Sequence, residues 1–217
     1  VRWSRLLLIV SVGLGTGSTA RHVVTGIGRR LREGRIGDIV AVPTSEATAE
    51  LGRREGIPLT DLGTRTRLDL TIDGADEISP DLDLIKGQGG ALLREKIVAR
   101  ASRRLVIVSD DSKLVGRLGM RSPLPVAVVP FGWQTQVEAL CALGAEPMLR
   151  RRADGSPTVT DDGLYIVDGR FPGGLDEPAR VERALRERAG VVETGLFLDM
   201  ADAAYVADRG GVMLHRR

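Results

Sequence analysis

The sequence predicts an α/β protein with a Rossmann-like, mostly parallel sheet domain and a second, smaller α+β domain of ferredoxin-like order. Up to residue 109, short apolar segments alternate with helical segments, the pattern of right-handed βαβ units. From residue 123 the order becomes strand, helix, strand, strand, helix, strand, which is the split-βαβ arrangement. A chain of 217 residues is long enough for two such units. The predicted division is residues 1–122 plus 199–217 for the Rossmann-like domain and residues 123–198 for the smaller one.

In the Rossmann-like domain, short apolar runs next to turn signals predict buried strands. Thr44 or Ser45 is the type of residue that caps a helix start. The predicted strands cover residues 6–12, 39–42, 59–62, 68–72 and 105–109, and the tail adds residues 203–206 and 212–214. The predicted helices cover residues 20–33, the segment from the cap to about residue 55, and residues 90–102.

The first strand needs a separate argument, because Arg2, Arg5, the apolar run 6–12 and the small residues before residue 21 also resemble a signal peptide. The run is too short to cross a bilayer. The strand interpretation is favoured, since cleavage after Ala20 would remove the first strand of the fold.

In the smaller domain, the same reasoning predicts four strands and two helices. The strands are residues 126–129, 147–151, 165–167 and 191–197, and the helices are residues 134–143 and 176–188. The consecutive arginines 150–152 are expected to form a solvated edge, with an oligomer contact as the alternative.

Composition excludes several classes of function. The net charge is only +2 and basic and acidic residues are interspersed, so a nucleic-acid partner is not expected. The single cysteine, Cys141, excludes an internal disulfide framework and indicates a reducing compartment such as the cytoplasm. His22 and His215 lie far apart in sequence, so no metal-binding cluster is predicted around either.

Lysine is scarce in this chain and is confined to one stretch. Of 31 basic residues, only Lys86, Lys96 and Lys113 are lysines, and arginine serves everywhere else. An ammonium can be desolvated and directed at a single oxygen, whereas a guanidinium is a planar fork. The cluster therefore indicates chemistry in this stretch.

A glycine-rich turn follows the first predicted strand and contains Thr16, Gly17, Ser18 and Thr19. Glycines let a ligand approach the backbone, and the N–H groups at a helix start attract an anion. The turn has neither a Walker lysine nor GxGxxG spacing. An ordinary strand-to-helix connection remains an open alternative.

A second segment, Asp73-Gly74-Ala75-Asp76-Glu77, directly follows a predicted strand. Ligand sites in open α/β sheets lie at the carboxyl ends of strands, so its carboxylates can bind sugar hydroxyls or transfer protons. A solvated acidic turn is the alternative. The spacing does not match a calcium loop.

Two further segments offer cations. Lys86, Gly87, Gln88 and Gly89 lead into the helix that carries Glu95, and Lys113 lies just beyond another strand end. The alternative makes Glu95 and Lys96 ordinary surface charges.

Together these segments contain what proton transfer between adjacent sugar carbons requires. A carboxylate must take a proton from the carbon beside a carbonyl, and a cation must stabilise the enediolate oxygen. A phosphate-binding turn would anchor the substrate and orient its reacting end.

These motifs, in this order and spacing, resemble the signature segments of the ribose-5-phosphate isomerase A family. Similar later stretches are Pro123-Leu124-Pro125-Val126, Val159-Thr160-Asp161, Gly195-Leu196-Phe197 and Ala201-Asp202, so the resemblance spans nearly the whole chain. It implies conversion of ribose 5-phosphate to ribulose 5-phosphate in the pentose phosphate pathway, with no metal or organic cofactor, by a cytoplasmic homodimer or larger homo-oligomer.

The resemblance also implies a role for each residue. Glu95 would move the proton between C1 and C2, and Lys86 would polarise the carbonyl. Asp73 and Asp76 would contact hydroxyls, with Asp73 assisting ring opening. The remaining substrate-binding residues would be Thr16, Gly17, Ser18, Thr19, Gly74, Ala75, Gly87, Gln88, Gly89 and Lys113.

One departure concerns the phosphate. Members of this family usually carry an N-terminal helix with a lysine that reaches it, whereas no lysine precedes Lys86 here. Arg2 or Arg5 is expected to substitute. The rival functions are a sugar-phosphate sensor, which would not need Glu95 and Lys86 together, an amino-sugar phosphate deaminase, which should offer a site histidine, a CoA transferase, and an inactive paralogue.

Overall fold

The computed structural model describes residues 9–217, and its largest sheet has six strands. These are β1 (Val10–Leu14), β2 (Ile39–Pro43), β3 (Leu70–Asp73), β6 (Leu105–Asp110), β12 (Ala203–Asp208) and β13 (Gly211–Arg216). Their order is β13-β12-β6-β3-β1-β2. All neighbouring pairs are parallel except β12 and β13, so the mostly parallel sheet and the returning tail are confirmed.

Three helices connect these strands. They are α1 (Ser18–Arg32), α2 (Glu46–Arg54) and α3 (Leu92–Ala101). Ser45 caps α2 by accepting the Thr48 N–H at 3.1 Å, as predicted. Leu14 of β1 packs with Val24 of α1, which buries one face of the sheet.

The second sheet has four antiparallel strands and the ferredoxin-like order predicted for it. Its elements are β7 (Leu124–Val128), α4 (Gln134–Ala142), β8 (Glu146–Leu149), β9 (Tyr165–Arg170), α5 (Pro178–Arg186) and β10 (Val191–Thr194), and the strand order is β10-β7-β9-β8. The exact division into residues 1–122 plus 199–217 and residues 123–198 stays a prediction.

A small third sheet was missed by the sequence reasoning. It contains β4 (Glu77–Ile78), β5 (Leu84–Ile85) and β11 (Leu196–Phe197), in the order β11-β5-β4. The single strand predicted at residues 191–197 is therefore wrong, because Gly195 divides it between two sheets. The Gly195 N–H donates to the Pro125 carbonyl at 2.7 Å and its carbonyl accepts the Lys86 N–H at 2.9 Å.

The strand predicted at residues 59–62 is also wrong. Leu59 forms only an isolated bridge to Ala41. The chain then turns, because Asp61 accepts the Thr64 N–H through its side chain at 2.8 Å. The part of the first predicted strand before residue 9 lies outside the described residues.

The sheet reverses its strand order beside β1, which has β2 on one side and β3 on the other. Such a reversal opens a crevice at the carboxyl ends of the strands. Backbone contact here is close: a Cβ on Gly15 would lie 2.0 Å from Asp73 Oδ1 and 2.6 Å from Asp73 Cα. Only glycine fits between the ends of β1 and β3.

Gly15→Ala should therefore destabilise the protein by about 1–3 kcal/mol, the usual cost of overpacking a rigid interior. Urea unfolding monitored by circular dichroism measures this change. Gly37→Ala is the matched control, since nothing lies within 4 Å of its Cβ position. Equal stability of the two variants would contradict the close approach.

Candidate active site

A cleft lies where the loops after β1, β3 and β6 meet the loop that precedes α3. Its lining residues are Thr16, Gly17, Ser18, Thr19, Gly74, Ala75, Asp76, Lys86, Gly87, Gly89, Glu95 and Lys113. The structure thus brings together every predicted site residue except Asp73 and Gln88, and those two contact the lining from outside. Arg2 and Arg5 lie outside the described residues.

Lys86 is the centre of this cleft, although its side chain is only 2% exposed. Its Nζ lies 2.6 Å from the Gly74 carbonyl, 3.0 Å from Asp73 Oδ2 and 3.5 Å from Glu95 Oε1. Burial disfavours the ammonium, but Asp73 and Glu95 outweigh burial and raise the pKa of Lys86. Lys86 is therefore a fixed positive charge at neutral pH.

Asp73 lies behind Lys86 and is 1% exposed. Its Oδ1 accepts the N–H groups of Gly74 at 2.7 Å and Thr16 at 3.1 Å. Burial raises the pKa of Asp73, against the opposing effect of Lys86 and these N–H groups. The side chain therefore joins the ends of β1 and β3 to the ammonium.

Glu95 has one carboxyl oxygen near Lys86 and one that is buried without a partner. Within residues 9–217, Oε2 makes no hydrogen bond. Burial is the main cause that raises the pKa of Glu95 to about 8, and the nearby Asp73 and Asp76 add to it against the attraction of Lys86. Since Asp73 is better bonded, we assign the first proton that the coupled pair takes up to Glu95.

The glycine-rich turn is fixed by buried hydroxyl groups. Thr16 Oγ1 lies 2.7 Å from Thr44 Oγ1 and 2.9 Å from Ser45 Oγ, at the start of α2. Gly17 precedes α1 with φ 115°, and the first turn of α1 has no acidic residue. The N–H groups at the start of α1, beside Ser18 and Thr19, therefore suit an anion.

Lys96 was not predicted as part of the site, yet it lies immediately behind it. It is 3% exposed and its Nζ is 2.8 Å from both Glu193 Oε1 and the Thr194 carbonyl. The alternative of ordinary surface charges is therefore wrong for both Glu95 and Lys96. In the sequence, the scarcity of lysine was the signal that could have identified Lys96 as a residue next to the site.

Glu77 was also missed as a structural residue of the site. Its buried carboxylate accepts three backbone N–H groups, from Gly119, Arg121 and Ser122, at 2.5–2.6 Å. These contacts hold the segment before β7 against β4. The sequence alone does not distinguish a turn carboxylate that binds backbone N–H groups from one that is exposed to solvent.

Within the described part of the chain, no group of three or more His, Cys, Asp or Glu side chains is arranged to hold a metal ion. Likewise, none of the helices between residues 9 and 217 is both long and apolar enough to cross a membrane.

The fold and the site define an α/β enzyme whose cleft places a buried carboxyl beside a buried ammonium. A family model described as ribose 5-phosphate isomerase A (phosphoriboisomerase A) matches residues 40–211. The chain belongs to the ribose 5-phosphate isomerase A family.

Relatives support this assignment over nearly the whole chain. The chain is 52% identical to ribose-5-phosphate isomerase A of Chloroflexus aurantiacus over 201 residues, which cover 93% of this chain and 84% of the relative. Identity to the protein of the same name from Gloeobacter violaceus is 54% over 202 residues, covering 93% and 86%.

Solved structures support the same family assignment. The structure of a D-ribose-5-phosphate isomerase in complex with phospho-erythronic acid superposes with a TM-score of 0.93 at 38% identity, covering 96% of this chain and 91% of that one. The ribose 5-phosphate isomerase from Plasmodium falciparum gives a TM-score of 0.92 at 38% identity with the same coverage.

The raised pKa of Glu95 predicts a pH-dependent stability difference. Between the ordinary pKa of a glutamate, 4.5, and the raised pKa of about 8 in the folded protein, the folded state holds a proton that the unfolded state releases. Stability of the native protein should therefore fall as pH rises through this window. Glu95→Gln removes this loss of stability. The Tm of the variant minus the Tm of the native protein should therefore increase from pH 5 to pH 8.

Calorimetry at several pH values tests this expectation. The exposed Glu138, which has no ion-pair partner among residues 9–217, supplies the matched control Glu138→Gln. A Tm difference for Glu95→Gln that stays constant with pH, or decreases, would contradict the assigned proton.

Proposed function

We propose that this chain is a ribose-5-phosphate isomerase that interconverts D-ribose 5-phosphate and D-ribulose 5-phosphate through an enediolate. One observation carries the proposal: a carboxyl oxygen of Glu95 that has no hydrogen-bond partner among residues 9–217 shares one cleft with the ammonium of Lys86, and Glu95 Oε1 is only 3.5 Å from Lys86 Nζ. The role belongs to the non-oxidative pentose phosphate pathway, as the family resemblance implies.

Glu95 acts as the base. When its carboxyl is ionised, Oε2 takes the proton from C2 of the open-chain aldose, and the C–H electron pair forms the C1–C2 double bond of the enediolate. The same carboxyl returns the proton to C1, while the hydrogen on O2 is transferred to O1. A pKa of about 8 suits both steps, because it lies near the operating pH.

Lys86 stabilises the negative charge that develops on O1. It is already charged, desolvated and fixed by Asp73 and the Gly74 carbonyl, so little reorganisation is needed when the enediolate forms. Its contact with Glu95 Oε1 makes the two groups neighbours in the lining of the cleft.

We propose a different role for Asp73 from the one that the resemblance implied. Because its side chain is 1% exposed and does not line the cleft, we assign it to holding Lys86 rather than to sugar hydroxyls or ring opening. Asp76, which lines the cleft, is assigned to hydroxyl contact.

The phosphate is assigned to the turn at the start of α1 and to Lys113. Support comes from the N–H groups beside Ser18 and Thr19, from the lack of acidic residues in the first turn of α1, and from a lysine on the facing loop. Binding energy at the phosphate would orient C1 and C2 against Glu95.

Location and assembly complete the proposal. A single cysteine agrees with a cytoplasmic enzyme. A homodimer or larger homo-oligomer agrees with the exposed apolar side chains of Phe131, Met148 and Val212.

A direct assay of ribose 5-phosphate conversion by the purified protein tests the function. The native protein should turn over, and Glu95→Gln should lose at least about 100-fold in kcat, because an amide cannot accept the proton. Glu138→Gln should match the native protein. An inactive native protein would overturn the function, and near-native kcat in Glu95→Gln would remove Glu95 from its role.

Lys86→Arg should be nearly as damaging as Lys86→Ala in the same assay. A planar guanidinium cannot occupy a pocket fitted to one ammonium with oxygens at 2.6, 3.0 and 3.5 Å. Both variants should lose about 100-fold or more in kcat. Recovery of kcat by arginine would show that only the charge matters.

A further inference from the structure

We propose that Arg150, held by Asp168, is a positioning residue that orients two peptide groups of the loop between Lys86 and α3. The inference rests on the proposed function, since it assigns this loop to substrate binding. Arg150 lies in the smaller domain just after β8, and sequence reasoning expected a solvated edge there. That expectation is wrong for Arg150, whose side chain is only 15% exposed.

The guanidinium of Arg150 donates hydrogen bonds on two sides. One side forms a bidentate pair with Asp168, with Nε 2.8 Å from Oδ2 and Nη2 bonded to Oδ1. On the other side, Nη1 donates to the carbonyls of Gly87 at 3.0 Å and Gln88 at 2.9 Å. Asp168 therefore fixes the plane of the fork, and the fork reaches across to the loop.

Planar trans peptides transmit this contact to the cleft. In such a peptide the C=O and the N–H point in opposite directions. With the Gly87 carbonyl turned to Arg150, the Gln88 N–H points away and donates to Asp76 Oδ2 at 3.0 Å. With the Gln88 carbonyl turned the same way, the Gly89 N–H also points away from Arg150, and Gly89 lines the cleft.

The loop has one hydrogen bond of its own, from the Gly90 N–H to the Gly87 carbonyl at 3.0 Å, and Arg150 adds a restraint from outside it. Gly87 has φ 104°, and a Cβ there would lie 2.7 Å from Leu92 Cβ, so the loop is glycine-rich by necessity. Glycine peptides rotate easily, and within residues 9–217 the Gly89 N–H has no acceptor to hold it. Arg150 supplies the restraint through the preceding carbonyls.

The neighbouring arginine provides a matched control. Arg151 is exposed and donates to the Gly155 carbonyl at 2.7 Å, within its own turn. Arg151→Met therefore removes the same charge and hydrogen-bonding group one residue away without touching the loop.

Steady-state kinetics with ribose 5-phosphate give the first readout. Arg150→Met should lower kcat/KM by about ten- to a hundredfold through both a higher KM and a lower kcat, because misoriented peptides weaken substrate binding and weaken transition-state binding further. Arg150→Lys should recover only part of the loss, since one ammonium cannot serve Asp168 and two carbonyls. Arg151→Met should match the native protein.

Amide hydrogen exchange gives a second readout that needs no turnover. The Gln88 amide should exchange at least about tenfold faster in Arg150→Met than in the native protein or Arg151→Met, while amides in β1 and β3 stay protected. A kinetic loss with unchanged Gln88 exchange would overturn the positioning role, as would kcat/KM within about twofold of native.

A pair of variants separates positioning from folding. Asp168→Asn keeps the side-chain size but cannot accept from both guanidinium nitrogens. Its loss of kcat/KM should therefore be of the same kind as that of Arg150→Met but smaller. Combined with Arg150→Met it should add little, because the two residues act through one contact. If Arg150→Met fails to fold, Arg150→Lys and Asp168→Asn carry the test. Full additivity of the losses in kcat/KM of these two variants would then overturn the positioning role.

Failure of the proposed function is distinguishable from failure of this inference. If the native protein does not convert ribose 5-phosphate, the function falls and Gln88 exchange alone decides the role of Arg150. If the native protein turns over and Arg150→Met behaves like Arg151→Met, only the inference falls.

Discussion

The burial of the Lys86 ammonium is the constraint on which the rest of the structure depends. A buried charge is tolerated only when it is paired and hydrogen-bonded. Here the end of β3 supplies Asp73 and the Gly74 carbonyl, α3 supplies Glu95, and the Gly195 carbonyl fixes the Lys86 backbone. These partners come from three separate parts of the chain, so the six-stranded sheet, the small third sheet and α3 must meet at this point for the ammonium to be satisfied.

The same arrangement creates the reactive group. Two carboxylates face one ammonium in a buried space, and the surplus negative charge is relieved by a proton on the less well bonded carboxyl. Asp73 is bonded by two N–H groups and Lys86, so Glu95 takes the proton and its pKa rises to about 8. The pairing that stabilises Lys86 therefore leaves Glu95 destabilised when charged, which is the property that a proton-transferring base requires. Stability is given up at the residue where reactivity is needed.

Much of the fold was predictable because it rests on local pattern. Apolar runs located β1, β3 and β6, Ser45 located the start of α2, and the order of elements identified the ferredoxin-like sheet. The cleft followed from strand ends, since parallel strands place their carboxyl ends at one edge. Contacts between distant segments were not predictable. Position 195, just after β10, admits only glycine because a Cβ there would lie 2.3 Å from the Lys86 carbonyl oxygen, and Arg150 contacts a loop more than sixty residues away. Nothing near either residue in sequence encodes these distances.

The unequal use of lysine and arginine follows from the shapes of the spaces that they fill. Lys86 and Lys96 both lie near the Phe197 ring, with Nζ 5.4 and 4.9 Å from its centroid, in pockets where each ammonium is directed at a few close oxygens. A planar fork would not fit there. The space around Arg150 is different, because a carboxylate and two carbonyls surround it. A planar guanidinium can donate hydrogen bonds to all three at once. A chain that otherwise uses arginine for its cations keeps lysine where the space admits a point charge, so the composition already carried information about the site's geometry.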